Sequence, residues 1–344
     1  MKAYLLLSML FISFAPLALS KGKNTATITK FYGKVRLFKN PSKVKKGKGP
    51  FAQIDGKYYQ VRKAKKGMVL KPYERIQTGK RAKAKLVYEN GDQITVSADT
   101  SYEVALSGKA GVKKPVYEMI FGKFRGLIRN DGPRNDMEVR TKTMTMGVRG
   151  TDFFISARGK SGRSEVSVLR GEVAVKGRES KAKPVKVSQG FSVQVGGTGT
   201  GAKEKAKAKA KAKVEQEIKV EPTDKQVISK IFKETVITKK ELAEQKEIDA
   251  KEDPSSVARD QKVEKQLAKL ETAAFEAAKR DVKIHDPELY KKISKLPPEK
   301  LNSADQIQEI STKKAFDAAP KPKETKARFN DLDSSDIYDK YFNK

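Results

Sequence analysis

From Thr25 to about Val195 the sequence alternates polar and apolar residues with a period of two, and that pattern decides most of what the chain can become. Ala26-Thr27-Ile28-Thr29, Lys34-Val35-Arg36-Leu37, Gln93-Ile94-Thr95-Val96, Glu165-Val166-Ser167-Val168-Leu169 and Phe191-Ser192-Val193-Gln194-Val195 all show it. Successive side chains of a strand point to opposite faces, so such runs bury one face and wet the other. The β-branched residues within them favour the same geometry. Turn signals separate the runs. Asn90-Gly91 is a tight-hairpin pair, and Asn130-Asp131-Gly132-Pro133 and Arg170-Gly171-Glu172 are further breaks. Many short strands at short spacing imply an all-β sandwich or roll spanning residues 25–195. The lysine- and glycine-rich stretch 40–66 reads as a long basic hairpin loop inserted into it.

The two ends of the chain follow other rules. Met1-Lys2, an apolar stretch to Ser20 with Pro16 near its end, and Lys21-Gly22-Lys23 form the parts of a secretory signal. The small residues Ala18 and Ser20 place cleavage after Ser20. The apolar stretch is shorter than the roughly 20 residues of a membrane-spanning helix, and Lys21 and Lys23 oppose its retention. No later stretch is apolar enough to cross a bilayer, so no transmembrane span is expected after cleavage. At the other end, residues 196–222 read as a linker, with Gly196–Gly201 followed by a Lys-Ala alternation over Lys203–Lys213. Residues 223–318 hold narrow helical stripes. Asp224 is a candidate cap for Val227, Ile228, Ile231 and Phe232. Ser256 precedes Val263, Leu267, Leu270 and Ala274, Asp286-Pro287 opens another helix, and Ser303 a last one. Their polar flanks lead to the expectation of loosely attached helices. Residues 319–344 read as disordered, with an acidic, aromatic end over Asp331–Phe342.

Charge and residue types narrow the function. There are 74 Lys and Arg against 42 Asp and Glu, a formal net charge of +32, which favours anionic partners. Cysteine is absent, which excludes disulfides, thiolate metal sites and thiol catalysis. His285 is the sole histidine and sits in the tail, so a Ser–His–acid arrangement would require that tail to dock. No enzyme activity, metal or cofactor is expected.

An ordered series of motifs resembles the FecR family, the ferric-citrate-regulator type of periplasmic module. Gly33-Lys34-Val35 resembles its opening strand, and Ile76-Gln77-Thr78-Gly79 with Ala82-Lys83-Ala84 its threshold turn and next strand. Tyr88–Val96 is similar to its next hairpin, with Asp92 where serine is usual. Gly147-Val148-Arg149-Gly150-Thr151-Asp152-Phe153 matches its most distinctive string, and Val168–Val173 and Ser188-Gln189-Gly190 follow in order. The resemblance implies a jelly-roll-like β-sandwich. It also implies a binding or scaffold module, although the chain shows neither the cytoplasmic segment nor the membrane anchor of the regulator that gives the family its name.

The distinctive string is expected to be structural, with Arg149 holding Asp152, Glu138 or a backbone carbonyl. Candidate anion contacts are Lys43, Lys45, Lys46, Lys48, Lys63, Lys65 and Lys66. The partner is expected to be another envelope protein or an anionic wall or outer-membrane polymer, for a periplasmic or secreted bacterial protein. Two alternatives stay open. One is a signalling regulator retained in the membrane. The other is a nucleic-acid-binding protein, supported by charge alone and opposed by the export signal and the lack of a recognised nucleic-acid motif.

Overall fold

The structure is a computed structural model that describes residues 24–107, 114–130, 132, 136–159, 162–196 and 218–318. The expected signal peptide with Ser20, the Lys203–Lys213 tract and the 319–344 terminus lie outside these residues. Among the described residues, sixteen strands are followed by five helices. The protein is mostly β, one large bent sheet with a helical region C-terminal to it.

Three long strands, β10 (Lys114–Leu127), β12 (Met144–Arg158) and β13 (Arg163–Gly177), each belong to two halves of the sheet. The first part of β10 pairs with β9 (Thr100–Ser107) and, in parallel, with β11 (Met137–Arg140). Its second part pairs with β8 (Gln93–Val96) and with β12. From β8 one half continues through β7 (Lys83–Val87) to β1 (Ala26–Tyr32) and β5 (Val69–Leu70). From β9 the other continues through β6 (Arg75–Thr78), β2 (Val35–Ser42) and β4 (Lys57–Lys63) to β3 (Phe51–Ile54) at the edge. On the far side β13 carries β14 (Val185–Ser188) on one part and β15 (Phe191–Val195) on the other.

The crossing points are where the chain cannot be straight. Gly122 of β10 has φ +109°, and a Cβ there would lie 2.3 Å from Thr100. In β12 the register with β13 shifts between Arg149 and Phe153, around Gly150. Bulges of this kind let strands pass from one sheet half to the other. The apolar rows of both halves then meet in one core. The rings of Tyr117, Tyr102, Phe124 and Phe153 run through it as a chain, with successive centroids 6.1, 5.5 and 6.0 Å apart. All four side chains are fully buried.

Three expectations change here. The hairpin loop expected at 40–66 carries two paired strands, β3 and β4, because Phe51, Tyr59 and Val61 supply a half-apolar face. Within it, residues 43–50, the turn 55–56 and residues 64–66 lie outside strands. The linker expected at 196–222 ends in a strand, β16 (Lys219–Pro222), which pairs with β15. The helices are not loosely attached. In α1 (Lys225–Thr235), Ile228, Ile231 and Phe232 bury against Phe154 and Leu169 of the sheet. In α3 (Ser256–His285), α4 (Pro287–Ile293) and α5 (Ala304–Ala318), residues such as Ala274, Val282, Leu289 and Ile307 form a second small core with Val87 of β7. Narrow stripes suffice because small residues let α3 sit close: Ala273 and Ala277 approach Gly91 in the turn between β7 and β8.

Capping follows the sequence. The Asp224 side chain accepts from Gln226 N–H at 2.6 Å, and Asp286 accepts from Leu289 N–H at 2.9 Å, with Pro287 in the first turn. The helix α2 (Lys239–Glu252) is not among the sequence stripes, since it has almost no apolar face; only Gln245 is buried. Its signal was present as Thr238 and Glu241, which form a reciprocal capping box. Among the described residues no helix is long and apolar enough to cross a membrane.

Candidate functional site

The distinctive string lies on β12, at the bend, and most of it is buried. Asp152 is fully buried and accepts two parallel hydrogen bonds from Arg125 of β10, Nε to Oδ1 at 2.8 Å and Nη2 to Oδ2 at 2.6 Å. The fork thus staples two neighbouring strands where the sheet bends. The Thr151 hydroxyl donates to the Arg149 and Glu172 carbonyls, closing the bulge. Phe153 lies over Gly126, which has no Cβ to obstruct it. Gly147 and Val148 pair with Glu138 and Met137 in the β11 ladder, and Gly150 has φ +58°. Arg149 departs from expectation. Its side chain is exposed, while Asp152 is held by Arg125 and Glu138 by Arg140. The carboxylate of the string is thus held by Arg125, an arginine outside it.

A second charged system joins the β region to the helices. Lys85 of β7 is buried and donates to both carboxylate oxygens of Asp305 in α5, at 3.1 Å each, with Glu271 of α3 3.6 Å away. Lys30 of β1 reaches Glu271 at 3.4 Å. Burial pushes the Lys85 ammonium down, but Asp305 and Glu271 together push it up further, and the net is a raised pKa. Burial raises the two carboxyls, yet Lys85 and Lys30 hold both below the ordinary range. Lys83 caps the C-terminal end of α1, donating to the Lys233 carbonyl at 3.1 Å and the Val236 carbonyl at 2.7 Å, and pairs with Glu241 of α2. The Arg125 guanidinium also lies 4.7 Å from the Phe232 ring centroid.

Arg170 of β13 pairs with Asp281 of α3, which in turn faces His285 at 3.7 Å. Burial raises the Asp281 carboxyl against the lowering by Arg170 and His285, and burial lowers the His285 imidazole against the pull of Asp281. The sole histidine thus lies beside the carboxyl through which α3 pairs with β13. Among the described residues no group of three or more His, Asp or Glu side chains converges as a metal site.

The candidate anion contacts fall into two sets. Lys63, Lys65 and Lys66 sit at the root of the hairpin and face the junction of α2 and α3. Lys63 pairs with Glu252, Lys65 with Asp253 at 3.3 Å, and Lys66 with Glu264 at 3.6 Å. Each of the three thus has a carboxylate partner on or between the helices. Lys43, Lys45, Lys46 and Lys48 lie on the connection between β2 and β3, and all four are exposed. A cleft of about 800 Å³ opens between the hairpin and α2, with Val35, Phe38, Phe51 and Val61 on its apolar side and Lys34 and Arg36 at the rim.

Residues 74–174 match the family described as FecR protein. Two crystal structures, at 2.50 and 1.65 Å resolution, of a "putative anti-sigma factor" from Parabacteroides distasonis ATCC 8503 are similar at 18% identity and a TM-score of 0.33. Each match covers 45% of this chain and 62% of that one, so the chain spans less than two thirds of their length. No curated protein matches the sequence.

Proposed function

We propose, from the premise that this chain carries a FecR domain over residues 74–174, that it is an exported, non-catalytic binding module of the bacterial envelope. The finer fold reading is a jelly-roll-like β-sandwich. The observation that carries the functional reading is where the polar residues of the matched stretch go. Arg125, Asp152 and Thr151 are consumed in stapling β10, β12 and β13, and Arg170 in pairing with Asp281 of α3. The chemistry that marks the family builds a scaffold, and contact with partners falls to the exposed surface. FecR domains are generally envelope-associated, which agrees with reading residues 1–20 as a signal peptide cleaved after Ser20. The mature protein then comprises a β unit that takes in β16 and a helical unit fixed to its face, with partners drawn from envelope proteins or anionic surface polymers.

A FecR-type signalling regulator is the second reading, favoured by the family match itself. It requires residues 1–20 to be retained in the membrane. Fractionation of native cells with determination of the first residue of the mature protein separates the two. A chain beginning at Lys21 in a periplasmic or secreted fraction supports the exported module. An unprocessed, membrane-held chain overturns it in favour of the regulator, and mature protein in the cytoplasm revives nucleic-acid binding.

A further inference from the structure

The connection between β2 and β3 is unlike the rest of the basic surface. Four lysines occur within six positions, Lys43 to Lys48, and among the described residues none has a carboxylate within ion-pair reach, in contrast to Lys63, Lys65 and Lys66. Between them Val44 is 61% exposed. Pro50 is exposed, and Phe51 is half-buried with the Lys45 ammonium 5.3 Å from its ring centroid. Lysines beside an edge strand such as β3 also discourage strand pairing between molecules. That role does not account for an apolar side chain held out among them, beyond the end of the ladder. A soluble polyanion has no use for Val44. A lipid surface uses both parts, headgroups for the lysines and the acyl boundary for the apolar side chain.

We propose that residues 43–51 form a contact for an anionic lipid surface, with Lys43, Lys45, Lys46 and Lys48 on the headgroups and Val44 facing the acyl boundary. The proposal rests on the export reading only for which leaflet is met; vesicle binding and the mature N-terminus are separate measurements and fail separately.

The test is flotation of the purified protein with vesicles of phosphatidylglycerol mixed with phosphatidylcholine, against phosphatidylcholine alone, at several salt concentrations. Binding is expected only to the mixed vesicles and weakens with salt. Each lysine near such a surface is worth about fivefold in partitioning. Replacing these four lysines by alanine should therefore lower binding on the order of a hundredfold or more. Val44→Ser should weaken vesicle binding several-fold while leaving binding to inorganic polyphosphate unchanged. Hydrogen exchange at residues 43–51 should slow when vesicles are added, which reads the contact without any substitution. Undiminished binding by the four-lysine variant would overturn the proposal and assign the attraction to the Lys203–Lys213 tract. Equal loss of vesicle and polyphosphate binding with no effect of Val44→Ser would overturn the lipid assignment in favour of a soluble polyanion.

Discussion

Arg125 and Asp152 show how one pair can hold a bend. Both are buried, each satisfies the other's hydrogen bonds, and removing one partner strands a charge in the core. Loss of one member of such a pair costs about 3–5 kcal/mol, so Arg125→Met should lower the urea midpoint by a corresponding amount. Arg125→Lys should rescue little, since an ammonium cannot supply the two parallel bonds. Arg149→Ala, at the exposed arginine of the family string, should shift stability by no more than about 0.5 kcal/mol. Similar losses for both arginines would refute the assignment of the fork. Gly150 offers an independent check. Its φ is +58° and an added Cβ would sit 2.5 Å from that of Asn130. Gly150→Ala should therefore cost at least about 1–3 kcal/mol from backbone strain alone, read by thermal unfolding.

At the scale of elements, the joint between β7 and α5 is held by charge and should respond to acid. Asp305 and Glu271 titrate below the ordinary carboxylate range because Lys85 and Lys30 outweigh their burial. On acidification the unfolded chain therefore takes up protons first. The stability these groups contribute is complete above roughly pH 5 and is lost as pH falls through their depressed folded values. Lys85, raised in the folded state, contributes fully below its ordinary value near about pH 10 and loses that contribution only as pH rises through the raised one. Asp305→Asn should lower stability at neutral pH and flatten the decline towards about pH 3, because the group responsible for the slope is gone. An unchanged acid limb in that variant, followed by urea unfolding across pH, would show that the joint is not what acid breaks.

For the whole molecule, the helices and the sheet share their cores and ion pairs. Val87, Phe154 and Leu169 lie against helical residues, and Lys85 and Arg170 find their carboxylate partners on α3 and α5. Ending the chain after Pro222 would expose those apolar residues and leave two buried cations unpaired, a combination that ranks among the costly changes. The truncated protein should unfold at a clearly lower temperature than the full chain, or fail to accumulate in soluble form. An unchanged melting temperature would mean that the helical region is an appendage rather than a wall of the fold.

Much of the β region was legible because period-two alternation is a local property: which residues face inward depends only on the pleat. Caps were legible for the same reason, as with Asp224 and Asp286, and the capping box at Thr238 and Glu241 could have announced α2. The docking of the helices was not, because an Ala273 or Ala277 reads as neutral until Gly91 appears opposite it. Nor was the division of the lysines. Lys45 and Lys65 are alike in sequence and lie in similar basic stretches. Only the approach of Asp253 and its neighbours, brought near by the fold from far along the chain, gives Lys65 a carboxylate partner, whereas among the described residues Lys45 has none. Local periodicity sets strand, helix and turn within a few residues; the partner of each charge is set by distances that exist only after the chain has packed.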